Sequence, residues 1–463
     1  MRRSEITFLA VVVAVLGVGL LLDFALPARS ADQQESGGGQ FVSTGWYCPV
    51  PPGEGTEATM STANLANSAL GLRRSAIGGT GQSEVEQTTL AARSTGNKAV
   101  GDFGLSDATG LVEAFGGSNA TSLMVSARGR GAASSRCSAQ PSSRWLFAAG
   151  STSRGENHYL LISNPFREEA VVRVRLMAGD KEVVPARLKD LVIRPFSQTS
   201  VYLSDYLQEE PSFGMEVTAS RGRVIVARYS NVTSGEGRGI SLDVGAQNVS
   251  SEWIFAEGRV PSDGEESIVV VNPGSREALI GVVFMTAEER TAPPELAEMP
   301  VPAGRQVVVK VSDHLPRGTS YGMQVSSTND VPVVAERRTA GVVDRNRSFE
   351  SAFGVRAAAG RWTVPAGSPA GGSASLSIVN TGQSRTRVNV TLLGAEGETE
   401  PEELSSLSVD PGRKLVVDLD PFVDDTVVTA LVEADAAVIA VESQSVLGGQ
   451  YADFSTTAGL PAP

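Results

Sequence analysis

A chain of 463 residues with 41% hydrophobic content is long enough for three or four domains with packed cores. A formal charge of -13 and a pI near 4.9 exclude a nucleic-acid partner, because phosphate binding needs a concentrated basic face that no stretch supplies. The 49 glycines and 24 prolines, with valine and threonine outnumbering helix formers in most windows, indicate strands joined by turns and an all-β class.

Arg2 and Arg3 precede an apolar run from Ile6 to Leu22 that ends at Asp23. Such a run, at 1.5 Å rise per residue, is the short limit for a bilayer span and longer than the usual signal-peptide core. Residues 1–30 are therefore expected to form an N-terminal transmembrane helix, retained as an anchor in preference to cleavage after Ser30. The arginines stay on the cytoplasmic side, which places the bulk of the chain outside the cytoplasm. Residues 31–44, with Gly37 to Gly39, read as a flexible stalk.

Beyond the stalk a string recurs. Its clearest copy opens with Trp253-Ile254-Phe255-Ala256-Glu257-Gly258, passes through Val270-Val271-Asn272-Pro273 and Gly322-Met323-Gln324-Val325, and closes at Val331 to Arg337. Trp145 to Gly150, Asn164-Pro165, Gly214 to Val217 and Val224 to Arg228 repeat it, as do Trp362 to Gly367, Asn380-Thr381 and Val438 to Glu442. A degenerate copy begins at Trp46, with Asn64 in the expected place. The four tryptophans, Trp46, Trp145, Trp253 and Trp362, are thus one per repeat, spaced 99, 108 and 109 residues apart. A period near 100 is that of a domain, which gives modules at 45–144, 145–252, 253–361 and 362–463.

Cys48 and Cys137, the only cysteines, flank the first module. An even count in an exported chain predicts a disulfide closing a loop of about 90 residues. In the third module, alternation at Ser267 to Val271, Leu279 to Met285 and Gln306 to Val311, then Met323 to Ser326, Pro332 to Arg337 and Arg347 to Phe353, predicts six to eight short strands, the pattern of a β-sandwich. Glu288 to Pro300 reads as a loop. Arg228 and Arg337 are expected at a sandwich edge, paired with acids. Asn164, Asn272 and Asn380 end a strand at a turn. Each tryptophan is expected to be buried at a module boundary rather than exposed for sugar stacking. The intervals from Arg228 to Trp253 and from Arg337 to Trp362 are equal, which suggests a fixed connection and a semi-rigid rod of modules two to four.

The W-x-x-A-x-G opening, the strand ending in Asn, the strand that ends near Asp-x-Leu (Asp205-Tyr206-Leu207, Asp313-His314-Leu315) and the V-P-V-V-x-x-R close resemble the β-sandwich of the sensory rhodopsin transducer family. The whole arrangement of anchor and tandem copies is similar to an uncharacterised family of actinobacterial envelope proteins. The resemblance covers Trp46 to the C-terminus and implies a fold but no activity.

Catalytic patterns are sparse. Gly318-Thr319-Ser320-Tyr321-Gly322 matches a nucleophile elbow, with His314 nearby, yet its counterpart Glu210-Pro211-Ser212-Phe213-Gly214 marks the stretch as a turn entering a strand. His158 and His314 occupy unrelated repeat positions and read as surface or loop residues, and Glu288-Glu289, Glu402-Glu403 and Asp424-Asp425 as solvated loop charge. Gly78-Gly79-Thr80-Gly81 lacks the lysine of a phosphate loop. No catalytic, cofactor or metal site is expected. The expected function is that of a non-enzymatic, membrane-anchored extracytoplasmic scaffold or binding protein of the cell envelope, meeting an envelope protein. The alternative is a carbohydrate-binding protein holding cell-wall polysaccharide.

Overall fold

The apolar runs of the repeat are more continuous than strict alternation would give. Leu160, Leu161 and Ile162, and likewise Ile268 to Val271, are all at most 1% exposed, so both faces of these strands are covered. The computed structural model explains this. It describes residues 43–462 except 80, 106, 180, 344–345, 368–371, 424–426 and 448–452. The apolar run at residues 6–22 lies outside them, and among the described residues no helix is long and apolar enough to cross a membrane.

Each module is an antiparallel sandwich of seven main strands. In the second they are Arg144–Gly150, Glu156–Asn164, Ala170–Ala178, Ser197–Tyr202, Phe213–Arg221, Ile225–Val232 and Gly239–Val244, called first to seventh below. The first sheet has the order first, fifth, third, with two short strands on the third; the second sheet has the order fourth, second, sixth, seventh. The other three modules repeat this order, and the fourth adds Leu460–Pro461 beside its first strand. The all-β class is therefore met. The stretch expected as a loop at 288–300 instead holds two short strands and a 3-10 turn, Pro294–Leu296.

One face of every second sheet packs on the first sheet of its own module. The other face packs on the first sheet of the preceding module: Arg144–Gly150 lies against Val334–Val343, and Glu252–Arg259 against Ile439–Leu447. That double cover makes the second-strand runs continuous. The seventh strands, Gly131–Arg136, Gly239–Val244, Asn346–Phe353 and Asp453–Ala458, lie side by side, each touching the next and the last touching the first. The modules close into a ring around these four strands, and the described residues form a single compact unit. The expected rod is overturned. Equal spacings between repeats are what a closed ring of equivalent seams requires, as much as a straight stack does.

The connections are correspondingly tight. Ser138 bridges to Tyr47 of the first module and Ser142 already bridges to Val224 of the second; Ala246 and Ser250, then Val355 and Ala359, do the same at the next two junctions.

The repeated residues build this frame. The tryptophans are between 0% and 6% exposed, and each indole N–H finds a buried acceptor: Asn119 Oδ1 at 2.6 Å for Trp46, Val224 O at 2.8 Å for Trp145, Val333 O at 2.9 Å for Trp253 and Ile439 O at 3.0 Å for Trp362. The fully buried Asn272 donates to Arg276 O (2.7 Å) and Val301 O (2.9 Å) and accepts from Gly274 N–H (3.0 Å), which ties the hairpin after the second strand to a short strand of the other sheet. Asn164, Asn380 and the degenerate repeat's Asn64 make the same three kinds of bond. The glycine of the tryptophan motif has a steric cause. A Cβ on Gly150 would meet the Phe213 ring at 2.6 Å, and one on Gly258 the Tyr321 ring at 2.5 Å. Cys48 and Cys137 form the expected disulfide, which joins the first strand of module 1 to the residue after its seventh.

Candidate functional site

The greatest concentration of ionisable chemistry lies in the seams between modules and around the axis of the ring. It begins with a backbone irregularity. In the first strand of module 2, Ala148 and Ala149 together oppose one residue of the fifth strand, and in module 3 Ala256 and Glu257 do the same. A bulge of this kind turns an N–H away from its own ladder. The carboxylate of the following module accepts it: Glu336 from Ala148 at 2.6 Å, Glu442 from Glu257 at 2.7 Å. Glu336 and Glu442 occupy the same place on their sixth strands, facing Val269 and Ser377.

Cations complete the seams. Arg228, fully buried, pairs with Glu336 at 2.6 Å and Asp243 at 3.4 Å and donates to Ala149 O and Ser351 Oγ. Arg337, 1% exposed, pairs with Glu350 at 2.6 Å and Glu266 at 3.2 Å and donates to Thr456 of module 4. The expected acid partners are present, but the expected edge position is wrong. These side chains lie on the covered face of the second sheet, where an uncompensated charge would be prohibitive. Lys414 reaches Glu257 (2.6 Å) and Tyr321 O (3.1 Å) of module 3. Its equivalents on the other fourth strands also reach into the preceding module: Gln198 to Val50 O, Gln306 to Ser212 and Thr95 to Thr429.

A second set of bonds circles the axis. The amide of Ser351 donates to Ser241 Oγ at 3.3 Å, that of Thr456 to Glu350, and that of Ser134 to Ser455 Oγ at 2.8 Å, in each case from one module to the one before it around the ring. At one end of the axis stands Asp453, fully buried, which accepts N–H groups from Ile240 of module 2 at 3.0 Å, Phe349 of module 3 and its own neighbour Phe454 at 2.9 Å. Its carboxyl fills the space where Gly131 of module 1 and Gly239 of module 2 have no Cβ, so it touches all four modules.

Burial dominates the electrostatics. It pushes Asp243 up to about 8, Glu442 to about 8 and Glu266 to about 7, against the opposing pull of Arg228 or Arg337, and it raises Glu350 and Asp453 as well. One oxygen each of Glu266 and Glu442 has no hydrogen-bond partner, which suits a protonated acid better than a carboxylate. Burial lowers Lys414. Chemically, these groups neutralise one another and cap stray amides across module boundaries.

His158, expected at the surface, is fully buried, bonded to Ser230 through Nδ1 and edge-on to Phe349 of module 3; burial holds it below its ordinary value. His314 sits beside Glu295 at 3.1 Å, while Ser320 starts a strand paired to Arg259, so the residues of the elbow pattern enter a strand. Glu402 and Glu403 are exposed in a 3-10 turn; Asp424 and Asp425 lie outside the described residues. Asp453, Glu257, Glu350 and Lys414 carried no repeat signature. The available signal was a charge inside an apolar strand run, as in Val334-Ala335-Glu336-Arg337 and Val441-Glu442.

The model of a family of unknown function (DUF5719) matches residues 91–361 and 350–462. No curated protein matches the chain. Among solved structures, Thermotoga maritima 1070 is similar at 19% identity, with 23% of this chain and 95% of that one covered and a TM-score of 0.21. The Anabaena sensory rhodopsin transducer is similar at 23% identity, with 19% of this chain and 96% of that one covered and a TM-score of 0.17.

Proposed function

Starting from a chain that belongs to the family of unknown function DUF5719, we propose a non-enzymatic scaffold or binding protein of the cell envelope, anchored in the membrane by residues 1–30 and facing outward. The closed ring carries this reading. Tryptophan and asparagine brace each sandwich internally, and buried charge fixes the four sandwiches to one another, which gives the outer loops constant positions for a partner. The Cys48–Cys137 bridge suits an oxidising compartment outside the cytoplasm. Crosslinking of intact cells followed by affinity capture of the anchored chain should recover an envelope protein, and protease added to spheroplasts should cut the ring region. Protection of the ring from that protease would reverse the topology and end the reading.

One observation favours the polysaccharide alternative. Tyr202, Tyr159 and Tyr229 stand opposite one another on three neighbouring strands of module 2, with centroid separations of 4.9 and 6.1 Å and planes 30° and 35° apart. Tyr229 is buried, whereas Tyr159 and Tyr202 are partly exposed. If a sugar stacks there, Tyr202→Ala should abolish retention on purified wall polysaccharide; unchanged retention, or none in the parent, leaves the protein-binding scaffold.

A further inference from the structure

The four seams are built of different material. One apolar cluster runs through modules 2 and 3. Leu161, Ala227, Tyr229, Ile240 and Leu242 of module 2 join the core of module 1. Ile254, Ala256 and Met285 of module 3 join the core of module 4. Between module 4 and module 1, among the described residues, only Leu460 makes such a link. That seam is polar: Thr95 meets Thr429 at 3.2 Å, Arg93 meets Glu398 at 2.6 Å, Ser134 N–H meets Ser455 Oγ at 2.8 Å and Arg136 meets Gly459 O at 3.3 Å. It also holds a cavity of about 10 Å³, lined by Ser61, Thr121, Arg136, Thr363, Thr429 and Leu460, and the buried hydroxyl of Ser61 has no hydrogen-bond partner. That is space for about one water between mixed walls, since Ala120 and Pro365 also line it.

The contrast has a direct energetic meaning. Apolar surface released to water is penalised in proportion to its area, whereas hydroxyls and an exposed ion pair exchange their partners for water at little net cost. The polar seam is also the one no chain connection crosses, since modules 1 and 2, 2 and 3, and 3 and 4 are each joined through a few residues held at both ends by strand bridges. We infer that the ring is a clasp which opens at the seam between modules 4 and 1, while the other three seams stay closed. Opening bares the faces that carry Ser61, Thr121, Thr363 and Thr429, which makes a hydroxyl-lined cleft out of a contact between modules.

Hydrogen exchange on the full-length protein reads this directly. Three equivalent amides cross three seams: Ser134 from module 1 to 4, Ser351 from module 3 to 2, and Thr456 from module 4 to 3. Corrected for intrinsic rates, Ser134 should exchange at least tenfold faster than the other two. The pair Thr95→Cys with Thr429→Cys, whose hydroxyls now touch, supplies a lock: oxidation should slow Ser134 at least tenfold and leave Ser351 unchanged. Equal protection of the three amides in the parent overturns the inference, even where the double variant does not fold, and so does a lock that leaves Ser134 exchange unaltered.

Discussion

Replacing Glu336 by alanine tests whether cross-module charge holds the ring. The side chain is fully buried; one oxygen takes the Ala148 N–H at 2.6 Å, the other takes Arg228 at 2.6 Å and Ser351 Oγ at 3.2 Å. Removing one partner of a buried pair costs roughly 3–5 kcal/mol. Orphaning the bulge amide adds about 1–3 kcal/mol. Arg228 keeps Asp243 at 3.4 Å and Ala149 O at 2.9 Å, which recovers part of the loss, so Glu336→Ala should cost about 4 kcal/mol, a large share of the ~5–15 kcal/mol that holds a typical protein folded. The four buried tryptophans make urea unfolding visible in fluorescence. In a cycle with Arg228→Met, the double variant should lose at least about 2 kcal/mol less than the sum of the single losses, because no charge is left stranded. A loss below about 1 kcal/mol, or an additive cycle, would mean that Glu336 and Arg228 do not hold the seam.

Further outcomes follow from neighbouring groups. Asp243, Glu266 and Glu442 are raised to between about 7 and 8, so they keep protons in the folded state that the unfolded chain releases near pH 4; their contribution is fully present below that point and is lost as pH rises through 7 to 8. Glu350 and Asp453, also raised, add to this, whereas His158 and Lys414, both lowered by burial, oppose it with fewer protons, so calorimetry should show the melting temperature falling from pH 5 to pH 8.5, and a rise over that interval contradicts the protonated core. Reducing Cys48–Cys137, which are 89 residues apart, should lower stability by about 4 kcal/mol in denaturant titration, and thiol labelling of the unfolded, unreduced chain should find neither residue. Asn272→Ala strips three buried bonds and should cost about 3 kcal/mol, while Ser320→Ala at the mouth of a strand should change stability by no more than about 0.5 kcal/mol; equal effects in the same urea titration would deny the asparagine its role.

The sandwich could be read from the sequence because its demands recur: one tryptophan and one strand-ending asparagine per module, with a glycine under an aromatic ring in the second and third, leave a period near 100 residues. The ring could not, because its axis is built from one position filled three ways in four modules. Gly131, Gly239, Ser348 and Asp453 hold equivalent places at or near the start of the seventh strands, and a lone carboxyl fits only because two of the others lack a side chain. Such asymmetry gives no periodic signal. Arg228 and Arg337 were misplaced for a related reason. A charge at the end of a strand motif reads as exposed until a second module covers it, and the cover comes from residues about a hundred positions away, such as Glu336 over Arg228.

Small-angle scattering of residues 37–463 tests the closed ring most directly. A compact chain of this length has a radius of gyration of about 22 Å, and the closed ring should give a value close to that with a single narrow distance distribution. Four modules strung in line would give about 35 Å or more with an elongated distribution, and that result would contradict the ring.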